Sequence, residues 1–198
     1  MIAGELSTGR QKSPHGPADA ARLNPNPLED EMLTYQTIET PAGPLTVLVS
    51  ESGAVRAAGF TDDVDELLAL VHPALREEAT PVDDVGPVAA AIRSYLDGDL
   101  GAIDEVVVEQ RTGGEFMAHA WQVMREIKPG EPVTYSQFAE LSGRPAAVRA
   151  AAQACARNAV ALFAPCHRVL RLDGSLGGYR WGLPVKRWLL AHEAAGSR

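Results

Sequence analysis

Cysteine is scarce in this chain: two in 198 residues, Cys155 and Cys166, eleven positions apart. No Cys-x-x-Cys spacing and no histidine pattern accompanies them, which argues against a disulfide framework and a zinc site. Long apolar runs are missing too. None nears the ~20 residues that cross a bilayer, so no membrane partner is expected. The opening MIAGELSTGRQKSPHGPADAARLNPNP lacks the apolar block of a secretory leader. The expectation is a soluble cytoplasmic protein whose thiols stay reduced. Positive charge is also short, with 18 Lys and Arg against 26 Asp and Glu, a net −8.

That average hides an asymmetry. Residues 1–110 carry 6 basic and 20 acidic side chains, a balance of −14; residues 111–198 carry 12 and 6, a balance of +6. A basic second half is what contact with a polyanion needs, although chance clustering gives the same numbers.

Residues 1–31 are rich in Pro, Asn, Ser and charge and have no apolar period, so they read as a disordered tail, with Met32 as an alternative start. From Leu33, LTYQTIET, PLTVLVS and AVRAAGF read as an antiparallel meander. DVDELLALVH and VGPVAAAIRSYLDG read as helices, and AIDEVVVEQ as a strand leading out. A boundary falls near RTGG, giving an α/β unit over 32–110 and a helical unit over 111–198. In the latter, EFMAHAWQVMREI places Phe116, Ala120, Val123, Met124 and Ile127 on one face. YSQFAELSG and PAAVRAAAQACARN, with Pro145 at the start of the second, are two helices around a tight turn, the helix-turn-helix shape. The second helix is mostly alanine, including Ala147, Ala150 and Ala152, with Arg149 as its long projecting group. Tight packing in a core and close approach of a surface helix to a groove both suit that composition.

The stretch APCHRVLRLDGSLGGYRWG holds the chemistry. A free cysteine titrates near 8.5, so Cys166 needs a base or a positive field to react at neutral pH. His167 could take the proton directly or through one water, and Glu193, on a final helix folding back, could orient the imidazole. Gly174, Gly177 and Gly178 permit a close backbone path, and Tyr179 offers a flat wall. Pockets for planar bases are built so, and a tight loop with a core tyrosine looks alike.

The segments PCHRV, DGSLGGYRWGL and KRWLLAHE, preceded by GEPVTYSQFAELSG and VRAAAQACARN, resemble the O6-alkylguanine-DNA alkyltransferases, the methylated-DNA–protein-cysteine methyltransferases, from Phe116 to Glu193. The resemblance implies an α/β (α+β) fold, a ribonuclease-H-like N-terminal domain followed by a helix-turn-helix domain. It implies a single-turnover DNA repair protein that flips alkylated guanine from the minor groove of duplex DNA and takes the alkyl group irreversibly. By position, Cys166 resembles the alkyl acceptor, His167 its base and Glu193 the orienting acid. Tyr135 resembles the donor to the departing purine and Asn158 the hinge asparagine. Arg149 resembles the finger that fills the gap, and Tyr179 and Arg180 the pocket wall. Ala147, Ala150, Ala152 and Cys155 fall on the DNA-facing helix, where small side chains suit a groove only about 6 Å wide. Ala159 and Ala152 depart from the proline and glycine common at those places. Cys155 reads as a packing or groove-lining residue. No cofactor or metal is expected, and a monomer is. O4-alkylthymine is a second possible substrate.

Three rivals stand beside this reading. An alkyltransferase-like damage binder would carry another residue at position 166. A helix-turn-helix regulator would need more base-reading side chains. A Cys–His hydrolase would need an oxyanion hole and would turn over repeatedly.

Overall fold

The computed structural model describes residues 32–112 and 114–196; the reading of residues 1–31 as a tail lies outside them. The architecture is mixed α/β. Strands β1 (Leu33–Thr40), β2 (Gly43–Val49) and β3 (Val55–Gly59) form the expected meander, with Ile38 opposite Leu45 and Leu48 opposite Ala57. Alternate residues face opposite sides of the sheet. Leu48 and Ala57 therefore join Leu33, Leu67, Val71 and Leu75 in a small cluster under helix α1 (Val64–Leu68). Val47, Val49 and Ala58 face the other way, into the main core, and Val55 joins them because the register slips between Leu48 and Val49. The sheet is closed by a short strand the sequence pattern does not signal, β4 (Ala79–Pro81), parallel to β1 in the order β3-β2-β1-β4.

Helix α2 (Pro87–Leu96) packs Ile92 and Tyr95 into the main core. The same cluster takes Met124 from α3 (Glu115–Glu126), Phe138 from α4 (Tyr135–Leu141), Ala154 from α5 (Val148–Ala156) and Leu189 from α6 (Leu183–Gly196). Both halves of the chain thus share one core. On α3 the expected face is buried except for half-buried Phe116, and it gains Trp121, whose indole N–H donates to the Ala154 carbonyl at 2.9 Å.

Three expectations need correction. AIDEVVVEQ is turns, and Val108 alone bridges to β3, opposite Val55. In that parallel register residues 102–107 would lie before Val55, where β3 begins, and Val160 takes the same edge further on, opposite Ala58. The helix expected over 63–72 stops at Leu68, and a single 3-10 turn, Pro73–Leu75, follows. Pro145 does not open α5. The Ala147 N–H closes a turn onto the Arg144 carbonyl at 2.8 Å, with proline second, where its fixed φ fits, and α5 begins at Val148.

Candidate active site

Two parallel contacts bring the reactive segments together. Short strands β5 (Val133–Thr134) and β6 (Val169–Leu170) pair in parallel, Val133 opposite Val169. The start of α4 is thereby set beside the residues that follow Cys166. Thr134 caps α4 through a reciprocal capping box with Gln137, which makes Tyr135 the first helical residue. The second contact, Val160 on β3, anchors the turn that runs through Leu162, held at φ 71 and buried, into Pro165 and a 3-10 turn, Cys166–Arg168.

That turn separates neighbouring side chains. Cys166 faces an open cavity of about 490 Å³ whose wall includes Tyr135, Ala152, Cys155, Asn158, Tyr179 and Arg180. His167 is not part of that wall and is fully buried, its Nε2 2.9 Å from Glu193 Oε1. Glu193, also fully buried on α6, accepts from Arg168 Nη2 at 2.8 Å and from the Tyr95 hydroxyl at 2.7 Å. Arg168 Nη1 in turn donates to the Ile127 carbonyl. Asn158 Nδ2 donates to Cys166 Sγ at 3.4 Å.

Burial would raise the Glu193 carboxyl, but hydrogen bonds and charge from His167 and Arg168 outweigh it and hold the group at about 2. Burial pushes His167 down despite Glu193, with help from the Arg168 and Lys186 charges. The resting pair is therefore a carboxylate accepting from a neutral imidazole, with Nε2 as donor. Nδ1 is then the basic nitrogen, and it is buried without a hydrogen-bond partner in the structure. Burial also raises the Cys166 thiol, opposed by the Asn158 hydrogen bond and by the Lys186 and Arg180 charges. Burial and the neighbouring thiols lift Tyr135 to about 12, so its phenol keeps its proton. The site holds a protonated thiol in a positive field near a neutral imidazole. Proton removal then accompanies bond formation at sulfur.

The comparisons with known proteins bear on this arrangement. Residues 115–195 match the family model described as 6-O-methylguanine DNA methyltransferase, DNA binding domain. The methylated-DNA–protein-cysteine methyltransferase of Salmonella typhimurium is 35% identical over 165 residues, 81% of this chain and 95% of the relative. The chain belongs to the methylated-DNA–protein-cysteine methyltransferase family. Its human member is 47% identical over 73 residues, 37% of this chain and 35% of that protein. The crystal structure of Mycobacterium tuberculosis OGT in complex with DNA superimposes with a TM-score of 0.68 at 28% identity, covering 82% of this chain and 94% of that one.

In this family member the structure brings Cys166, Tyr135, Asn158, Ala152, Cys155, Tyr179 and Arg180 to one cavity, with His167 and Glu193 behind it. Arg149, Ala147 and Ala150 are not part of its wall. Arg149 is exposed one turn before Ala152, on the stripe that runs through Ala152 to Ala156.

Several residues at the site escaped the sequence reading. Lys186 is fully buried, and its Nζ donates to the Val169 carbonyl at 2.7 Å. Arg168 had a local signal, its place beside His167. Glu66 and Trp181 also line the cavity. Trp181 had a local signal, its place beside Arg180 in the glycine-rich stretch, whereas Glu66 and Tyr95 had none short of the fold, Tyr95 and Glu193 lying 98 positions apart.

Proposed function

We propose that this protein repairs alkylated DNA by moving the alkyl group from O6 of guanine to Cys166, once per molecule. The observation that carries the reading is the cavity that brings Cys166 Sγ and the Tyr135 phenol to one space, with the His167–Glu193 pair buried behind the sulfur. The sulfur attacks the alkyl carbon; the S–C bond forms as the C–O6 bond breaks. The thiol proton passes to His167 Nδ1, directly or through one water, and Glu193 steadies the imidazolium. The bonding electrons return to the purine, where the Tyr135 phenol donates as charge develops. The guanine anion takes a proton at N1 from water and the imidazolium returns its proton to solvent, so the protons balance and no methyl donor is consumed.

Access to the base follows from the helices. The α4–turn–α5 unit acts as a helix-turn-helix that lays α5 in the minor groove. The small stripe at Ala152 and Ala156 lets the backbone approach, with Ala147, Ala150 and Cys155 keeping the rest of that helix slim. Arg149 inserts where the flipped base was, offsetting part of an unstacking cost of a few kcal/mol. Phosphate contacts supply affinity without sequence preference. The preceding unit, over 32–110, is ribonuclease-H-like and carries the acidic surface. The protein acts as a cytoplasmic monomer, and O4-alkylthymine is a second substrate to test.

Mass spectrometry after incubation with O6-methylguanine duplex tests this. One methyl replacing one hydrogen, on the Cys166 peptide alone, is expected. An unmodified Cys166 beside a vanished lesion overturns the acceptor assignment, and a persistent lesion overturns the activity.

A further inference from the structure

Asn158 connects Cys166 to a residue far from it in sequence. Its Nδ2 donates to the Ala164 carbonyl at 2.7 Å and to Cys166 Sγ at 3.4 Å. Its Oδ1 accepts from the Val160 N–H at 3.1 Å and from Gln110 Nε2 at 3.2 Å. The two backbone partners set which way the amide points, because an N–H can face only oxygen and a carbonyl only the NH₂. The Gln110 donor is additional, and it lies outside the 115–195 segment that matches the family model.

The outer edge of β3 explains the meeting. Val108 bridges to Val55, and Val160 bridges to Ala58, three residues further along the same edge. Both pairings are parallel. At about 3.3 Å per residue, the two bridges are about 10 Å apart. Gln110 runs forward from the first and Asn158 runs back from the second, so their side chains converge in the gap. The Gln110 end is pinned further. The Glu109 N–H donates to the Val55 carbonyl at 2.9 Å, and the Glu109 carboxylate pairs with buried Arg56 at 3.0 Å. Hydrogen bonds in a chain polarise one another. A donor on Oδ1 draws electron density from the amide and strengthens Nδ2–H toward the sulfur.

We propose that Gln110 is a positioning residue for Cys166 that acts through Asn158, holding the amide in place and strengthening its hydrogen bond to the developing thiolate. The proposal rests on Cys166 as the alkyl acceptor. Its consequence is that residues before the matched segment tune the reactivity of the sulfur within it.

Iodoacetamide labelling of Cys166, followed by the mass of its peptide from pH 6 to 10, reads thiolate formation without DNA. Gln110→Leu keeps the bulk and loses the donor. It should move the labelling midpoint up by about half a pH unit, and so slow labelling at neutral pH about threefold. Gln110→Glu, nearly isosteric, sets an acceptor against Oδ1 and should move it further in the same direction. Asn158→Ala should raise the midpoint alone, and adding Gln110→Leu to it should change nothing more. An unmoved pH profile in both Gln110 variants, or an additional shift on the Asn158→Ala background, overturns the proposal. Methyl transfer from duplex DNA, measured separately, tests the acceptor assignment. A chain that labels normally at Cys166 yet takes no methyl sinks that assignment and leaves the Gln110 result legible.

Discussion

The indole of Trp181 lies against the backbone of Gly59: a Cβ on that glycine would stand 2.2 Å from ring carbon Cζ2. Trp181 is part of the cavity wall and also packs on the small cluster under α1, so it fastens the active-site loop to the sheet. Gly59→Ala must push the indole aside or shift β3. Overpacking of this kind costs about 1–3 kcal/mol. The expected outcome is a lower midpoint of thermal unfolding together with slower methyl transfer. Calorimetry and single-turnover kinetics check it, and a variant unchanged in both refutes the contact.

Tyr95→Phe removes one O–H donor from Glu193 and leaves the ring packing intact. A hydrogen bond to a buried charge contributes about 1.5–3 kcal/mol, so urea unfolding should register a loss of that order. The carboxylate becomes a stronger acceptor, and His167 becomes more basic. The acid limb of the transfer rate should therefore move to higher pH. A midpoint that stays put or falls would count against the Tyr95–Glu193 bond.

The pH profile of transfer follows from the directions of two shifts. His167 sits below its ordinary value of about 6.5, and Cys166 above its ordinary 8.5 or so. The reactive form, thiol beside neutral imidazole, is populated between them. The rate should stay level from about pH 6.5 to 8.5 and fall only on the acid side, as His167 gains a proton. His167→Asn leaves the thiolate as the sole route, so its rate should climb about tenfold per pH unit through the same window. Quench-flow rates over that range decide the matter; a level profile in the variant would remove His167 from the proton path.

Arg149→Ala should slow repair in duplex DNA more than reaction with free O6-alkylguanine, because only the duplex needs the vacated stack filled. A gap of about tenfold or more matches an unstacking cost of a few kcal/mol partly offset by one side chain. Equal losses on the two substrates would show that Arg149 acts on chemistry or folding instead.

Local pattern carried much of this molecule. The meander, α2, α3 and the segment from Tyr135 to Glu193 were legible because hydrophobic period, turn residues and motif spacing are properties of neighbouring positions. Where pattern misled, at AIDEVVVEQ and Pro145, the missing information was competition for an edge or a turn. AIDEVVVEQ has strand composition, but β3 begins only opposite Val108, and Val160 takes the edge further on, opposite Ala58.

The proposed nucleophile, base and orienting acid rest on the likeness of short segments to a known family, and the order of residues along the chain is enough to display that likeness. Which groups surround them it does not display. The Tyr95 hydroxyl on Glu193, the Gln110 amide on Asn158, the buried Lys186 ammonium and Trp181 against Gly59 each join residues whose separation in sequence says nothing about distance in space. Their effects on proton affinity depend on burial and on bonds a few ångströms long. Those exist only after the sheet edge, the two short parallel strands and the last helix have closed around the sulfur.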